Sequence, residues 1–279
     1  MMDPLTGALR PRHDQPDPAA LIAAAHAVAD AARAAILPHF RSTGLVTEDK
    51  GVGRFDPVTE ADRAAEAAMR AVLARLRPDD AILGEEEAAK PGTSGLTWVI
   101  DPIDGTRAFM SGTPSWGVLI ALTDADGPIY GLIDQPYIGE RFEGGFGRAA
   151  LSGPQGARPL ATRPPRPLSE AVLFTTFPEV GTPAERAGFE AVRDRVRLTR
   201  YGMDCYAYAL VAAGQVDLVI EAGLAPYDIC APIAVIEAAG GVVTDWRGRP
   251  VHGGGRALAA ANPEIHAAAL ALLSQVPDA

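Results

Sequence analysis

The sequence predicts an α/β protein in which an α+β half is followed by an α/β half. Three observations carry that expectation. From Trp116 to Gly145, short apolar runs separated by turn residues have the pattern of an antiparallel meander. Beyond Ala171, strand-like and helix-like periodicities alternate. Between them, Gly153 to Pro167 is rich in Pro, Arg and Gly and has no periodicity, so it reads as a connection with a boundary near residue 150. A chain of 279 residues can hold two subdomains that share an interface. They are expected over 18–150 and 151–279, behind a tail over 1–17.

The first helix is expected from Pro18 to Phe40, where Leu21, Ile22, Val28, Ile36 and Leu37 recur on a helical period and Pro18 suits a first turn. A Gly-containing stretch, Lys50 to Arg54, precedes Asp56-Pro57-Val58-Thr59. Thr59 then reads as the N-cap of a helix over Ala61 to Leu76, with Asp62 placed to complete a variant capping box. Ala81 to Gly84 is a short strand entering the acidic loop Glu85-Glu86-Glu87, and Thr97 to Ile100 is an apolar strand expected to stop at Asp101. Meander strands follow at Trp116–Leu122, Ile129–Asp134 and Arg141–Gly145. The second half reads as strand Ala171–Thr175, helices Pro183–Asp194 and Asp204–Ala213, and strand Val216–Glu221. A helix over Ile229–Ala239 closed by Gly240-Gly241, strand Val242–Thr244 and a last helix from Pro263 capped by Asn262 complete it.

Composition narrows the function classes. A net charge of −10 argues against a nucleic-acid surface, because phosphate backbones are held mainly by Lys and Arg. No uninterrupted apolar run approaches the length that spans a bilayer, and the first residues lack the apolar stretch of a secretory signal, so no membrane partner and a cytoplasmic location are expected. Cys205 and Cys230 match neither a zinc nor a redox spacing and read as structural thiols. His26, His39 and His266 fall on helices as packing or surface residues, and His13 and His252 lie in polar segments. Trp98, Trp116 and Trp246 read as core aromatics, Asp79-Asp80 as a solvated turn, and Gly253-Gly254-Gly255 as a turn rather than a phosphate loop. An acidic chain can still act on an anionic phosphate if its carboxylates first gather divalent cations.

Asp101-Pro102-Ile103-Asp104-Gly105-Thr106 is the sharpest motif. Two carboxylates three residues apart on a turn stiffened by Pro102 can reach neighbouring divalent ions, and the Ile103 carbonyl can point at one of them. Hard oxygen ligands select magnesium or manganese over zinc. Gly105 permits close backbone approach, and the amides of Gly105 and Thr106 at a helix start can hold phosphate oxygens. Taken alone, such an Asp pair is commonly a cap or a solvated turn.

With Asp56-Pro-Val-Thr-Glu-Ala-Asp62, Gly84-Glu85-Glu86 and Pro226-Tyr227-Asp228 in the same order and spacing, the chain resembles the inositol monophosphatase-like family of phosphatases from about Ala20 to the last helix. Within it, Arg107 to Ile120 and Tyr201 to Tyr208 are similar to segments of histidinol-phosphatases, with Met203 standing where those have glycine.

The resemblance implies a layered α-β-α-β-α sandwich like that of the sugar phosphatases, and a homodimer. It implies one magnesium on Glu85, Asp101 and the Ile103 carbonyl, and a second on Asp101, Asp104 and Asp228. A third, weaker ion is expected near Glu85, and lithium is expected to inhibit. Asp62 and Thr106 would activate the attacking water, Glu86 would support the site, and Glu221 would touch the alcohol part of a small phosphate monoester. Asp204 is expected to pair with the ammonium group of L-histidinol phosphate, or else to cap its helix. Direct in-line attack by a metal-activated water is the implied reaction. The alternatives are a broader inositol monophosphatase, a phosphatase of 3'-phosphoadenosine nucleotides, and a metal- and phosphate-binding regulator without turnover.

Overall fold

The computed structural model describes residues 17–43, 47–49 and 57–277. The expectations placed on the tail before Asp17, on Lys50 to Arg54, on Asp56 and on His13 lie outside these residues.

Helix α1 (Pro18–Ile36) begins with Asp17, whose side chain accepts from the Ala19 amide, and with Pro18 in its first turn. It ends at Ile36, before Phe40. By length and hydropathy α1 would satisfy a membrane span, although His26, Asp30 and Arg33 interrupt its apolar residues. Here Leu21, Ala25, Val28, Ala32 and Ile36 are buried in one core with residues of α2 (Glu60–Leu76) and of a large sheet. Arg33 and His26 of α1 pair with Asp134 and Glu143 of that sheet.

The large sheet has seven strands in chain order: β3 (Ala81–Gly84), β4 (Thr97–Asp104), β5 (Gly117–Thr123), β6 (Pro128–Gln135), β7 (Glu140–Gly145), β8 (Arg148–Gly153) and β9 (Gly156–Pro159). β3 and β4 are parallel and the remaining neighbours antiparallel. A separate pair joins β1 (Thr47–Asp49) to β2 (Pro57–Thr59). Two readings are corrected. β4 continues through the aspartate motif to Asp104 instead of stopping at Asp101, by way of a register irregularity between those residues. β9 occupies part of the stretch read as a connection: it is exposed along its length, so its residues show no apolar alternation.

The second sheet holds β10 (Val172–Thr175), β11 (Leu198–Tyr201), β12 (Leu218–Leu224), β13 (Val242–Thr244) and β14 (Gly255–Ala260), ordered β11-β10-β12-β14-β13. β10 runs parallel to β11 and β12, and β14 is antiparallel to β12 and β13. β11 and β14 were not foreseen. β11 is a largely exposed edge strand, and β14 is built mostly of small residues behind the Gly253–Gly255 turn.

The remaining helices are α3 (Thr106–Met110), α4 (Pro183–Arg193), α5 (Asp204–Ala212), α6 (Pro226–Ala238) and α7 (Pro263–Leu273). α1 and α2 cover the outer face of the large sheet, α5 and α6 fill the space between the sheets, and α4 and α7 cover the far face of the small one, each interface with its own apolar core. The layering is α-β-α-β-α. α6 starts at Pro226, earlier than expected, because Pro226 fits a first turn and Asp228 accepts from the Ala225 amide.

Trp98, Trp116 and Trp246 are core residues, and both cysteines are buried thiols. His266 is buried beside Thr244. Asp80 corrects its reading as a solvated turn: it is buried, accepting from Trp98 Nε1 at 2.9 Å and pairing with Arg77, whose guanidinium supplies the counter-charge three residues earlier.

α6 lies directly on sheet backbone. A Cβ on Gly131 would stand 2.4 Å from the Ala231 carbonyl oxygen, and one on Gly144 2.6 Å from that of Ala234. Gly131→Ala is expected to destabilise the protein by about 1–3 kcal/mol, through overpacking at this contact. Gly253→Ala, whose added Cβ meets nothing within 4 Å, should cost much less. Urea denaturation of the two variants checks the contrast.

Candidate active site

In a regular strand, residues three apart face opposite sides. The irregularity in β4 between Asp101 and Asp104 removes that constraint, and both carboxylates reach one place, with Asp228 from the first turn of α6. Asp101, Asp104 and Asp228 each offer an oxygen within 4.8 Å of the others. Each is anchored by an amide: Asp101 Oδ1 accepts from Ile103 N at 2.9 Å, Asp104 Oδ2 from Cys205 N at 2.6 Å, and Asp228 Oδ2 from Ala225 N at 2.7 Å.

Ile103 buries its side chain in the core, while its carbonyl accepts from the Thr106 hydroxyl at 3.3 Å. Gly105 has φ 88°, a conformation natural to glycine, and begins the short α3. A Cβ at Gly105 would lie 2.7 Å from Asp204 Cγ, so the residue is small both for its backbone and for the close approach of that carboxylate.

Asp62 accepts at Oδ2 from the Thr59 amide (2.8 Å) and hydroxyl (2.5 Å), completing the expected capping box. Its other oxygen, Oδ1, is buried and meets no hydrogen-bond partner. The capping role and an available oxygen therefore coexist in one carboxylate.

Asp104, Thr106 and Asp228 open on a cavity of about 530 Å³ whose walls also include Glu85, Asp204 and Glu221, while Asp62 and Asp101 lie behind its lining. Glu221 has a fixed orientation: Oε1 accepts from the Thr176 amide and hydroxyl, and Oε2 from the Tyr208 hydroxyl at 2.8 Å. Glu86 is not part of this wall; its amide donates to Glu66 Oε2 at 2.7 Å, and its charge acts on Asp62. Asp204 is not a helix cap, which corrects the plainer of its two readings. Met203 occupies the cap position, and the amide of Cys205, the second residue of α5, is taken by Asp104. Asp204 instead adopts φ 47°, accepts from Ser115 Oγ at 3.1 Å and faces the cavity.

Burial raises Asp62, Asp101, Asp104, Asp204, Glu221 and Asp228, and neighbouring carboxylates add to it at the five aspartates. Asp101 lies well above the usual carboxylate range because of burial and then Glu85, Asp104 and Asp228. Asp104 is raised by burial and by Asp204 and Asp228. Burial pushes Asp62, Asp204 and Asp228 up to about 6. Oxygen-only donors, converging and mutually repelling, make a site suited to a hard divalent cation, with Asp101, Asp104, Asp228, Glu85 and the Ile103 carbonyl as the available donors.

Residues the sequence reading did not single out hold this arrangement. Glu66, Ser115, Thr176 and Tyr208 each anchor a site residue or its loop. Of these, Glu66 left a trace in the sequence, as an acid four residues after Asp62 with Arg70 four further on, a spacing that puts all three on one helix face.

A model of the inositol monophosphatase family matches residues 17–278. The chain is similar to the chloroplastic bifunctional phosphatase IMPL2 of Arabidopsis thaliana, at 45% identity over 81% of this chain and 64% of that protein, so it spans less than two thirds of that relative's length. It is also similar to a histidinol-phosphatase of Streptomyces coelicolor, at 37% identity over 90% of this chain and 96% of the relative. Among solved structures, an inositol monophosphatase from Zymomonas mobilis superposes with a TM-score of 0.82 at 38% identity, covering 93% of this chain and all of that one.

Raised carboxylates have a defined consequence for stability. Between the unfolded value near 4 and the folded values of about 6, the native state holds more protons than the unfolded chain, so these groups stabilise at low pH and lose that contribution as pH rises. Magnesium competes with those protons. The rise in melting temperature on adding magnesium to chelator-treated protein should therefore grow from pH 4 to pH 7, and thermal melts with and without the ion measure it. A magnesium effect that is flat across this range would contradict the assignment.

Proposed function

The chain belongs to the inositol monophosphatase family of phosphate monoester hydrolases, and from that premise we propose that it is a magnesium-dependent histidinol-phosphatase releasing phosphate from L-histidinol phosphate. The observation that carries the reading is a carboxylate, Asp204, set against Gly105 and facing the same cavity as Asp104 and Asp228, two of the three converged aspartates. An ammonium-bearing alcohol makes a charge-assisted ion pair with such a wall, whereas a neutral polyol offers it hydroxyl hydrogen bonds alone. Similarity to the Streptomyces histidinol-phosphatase over nearly its whole length supports it.

In this reading Asp101, Asp104, Asp228, Glu85 and the Ile103 carbonyl hold the magnesium ions, two with a weaker third; manganese can replace them and lithium inhibits. Bound there, magnesium supplies neutralisation of the carboxylates and Lewis acidity toward the phosphate. The amides of Gly105 and Thr106 hold phosphate oxygens and keep phosphorus in line for attack. Asp62 Oδ1, free to accept and oriented by the Thr59 contacts to Oδ2, takes a proton from the attacking water with Thr106 helping to orient it. Asp204 binds the substrate ammonium, Glu221 receives the alcohol side, and Glu86 lends charge near Asp62. A homodimer belongs to the same proposal, and light scattering tests it.

A broader inositol monophosphatase is the second reading, favoured by the superposition on the Zymomonas enzyme. Phosphate release from histidinol phosphate, inositol 1-phosphate and adenosine 3',5'-bisphosphate, with magnesium, discriminates these and the third reading, a nucleotide phosphatase. Excess chelator should abolish turnover on any of them. Asp101→Asn is expected to lose more activity than Asp104→Asn, since the first is proposed to bridge both ions and the second to serve one. Parent-like activity of Asp101→Asn at saturating magnesium would sink that ligand set.

Asp204→Asn should lower kcat/KM for histidinol phosphate roughly tenfold to a hundredfold, the size of one lost charge-assisted hydrogen bond, with little effect on glycerol 2-phosphate. An equal fall on both substrates, or none, would remove the basis for the histidinol phosphate assignment.

A further inference from the structure

We propose that Glu66 is a positioning residue for the metal site, its buried carboxylate clamping the loop 84–87 so that Glu85 is held at the cavity wall beside the aspartates. The inference rests on the metal-dependent reading above. Glu66 lies on α2, fully buried and remote in sequence from the loop it holds. Its two oxygens divide the work: Oε2 accepts from the Glu86 amide at 2.7 Å, and Oε1 accepts from the Glu87 amide at 3.1 Å and from Arg70 Nε at 2.8 Å. Arg70 closes the clamp by donating to the Glu87 carbonyl at 3.0 Å. The two backbone amides that follow Glu85 are thus tied to one rigid helix side chain.

Gly84 completes the device. A Cβ there would stand 2.1 Å from Glu66 Oε1 and 2.6 Å from its Cδ, so the absence of a side chain at the start of the loop lets the carboxylate reach the amides beyond it. The purpose follows from electrostatics. Glu85 shares the cavity with Asp104 and Asp228, and like charges in that setting push a flexible loop outward. A surface loop held only by its own turn would relax away from the aspartates; one tied by two charge-assisted hydrogen bonds in a buried pocket does not. Arg70 pairs with the buried Glu66 carboxylate at 2.7 Å through Nη2.

The test is direct binding of Mn²⁺ to the metal-free full chain, followed by electron paramagnetic resonance, together with thermal melts of the same metal-free samples. Glu66→Ala and Gly84→Ala are each expected to weaken Mn²⁺ binding about tenfold or more, in the range found when groups that orient metal ligands are removed. Glu66→Gln, which keeps one accepting oxygen, should fall between Glu66→Ala and the parent. Gly84→Ala displaces the carboxylate without deleting a charge and stays informative if Glu66→Ala does not fold. Mn²⁺ affinity unchanged in folded Gly84→Ala and Glu66→Gln, with only their melting temperatures lowered, would overturn the proposal and leave Glu66 a packing residue. Absence of Mn²⁺ binding by the parent chain would instead overturn the metal-dependent reading, and this inference with it.

Discussion

Crowded carboxylates are the constraint around which the molecule is arranged. Asp62, Asp101, Asp104, Asp204 and Asp228 are all raised by burial, and each is raised further by a neighbouring carboxylate. The fold meets that repulsion with backbone amides, many of them at helix starts. Asp62 closes the first turn of α2, Asp228 that of α6, and Asp104 takes an amide in the first turn of α5 although it belongs to the sheet. Three helix N-termini, each with a partial positive charge, therefore converge where the acids gather. The same hydrogen bonds that begin these helices aim the carboxylates, so secondary structure and site geometry are one set of contacts.

This double use explains what could be read from the chain. Asp62 was legible as a capping residue from local spacing alone and as a site residue only through the family resemblance; the structure shows one oxygen engaged in the cap and the other without a partner. The Asp101 to Thr106 motif was legible because its residue types are unusual together. Its continuation of β4 was not, since a strand that bulges through Pro102 breaks the alternation from which strands are recognised. Contacts between distant segments left little mark: Cys205 against Asp104, Ser115 against Asp204, and Thr176 with Tyr208 against Glu221 each join residues that no periodicity connects. β9 and β11 were missed because exposed edge strands carry mixed residues, and Asp80 because its counter-charge and its Trp98 donor are tertiary.

The layering also separates what is general from what is particular. The aspartates and the glycine turn at Gly105 stand on β4 and on the first turn of α6, elements packed in fully buried cores. The cavity lining also takes in Asp204, close against Gly105, Glu221 and the segment after β10, which includes the half-exposed Phe177 with the Arg107 guanidinium 5.0 Å from its ring centre. On the proposed reading the aspartates face the phosphate and Asp204 and Glu221 the alcohol, an arrangement in which changes near β10 and α5 would alter the accepted alcohol without disturbing the aspartates.

The slot for α6 has a bearing on how the chain comes into being. The seven strands of the large sheet are consecutive in the sequence and all precede α6, yet Gly131 and Gly144 leave their inner surface shaped for a helix that is made much later. During synthesis, this sheet emerges with one apolar face bare until α5 and α6 follow, a period in which it is open to association with other unfinished chains. Asp228 arrives with α6, so the apolar cover and the last of the three converged aspartates reach the sheet together. A nascent chain thus gains the cover of its inner sheet face and the third of its converged aspartates in a single late step.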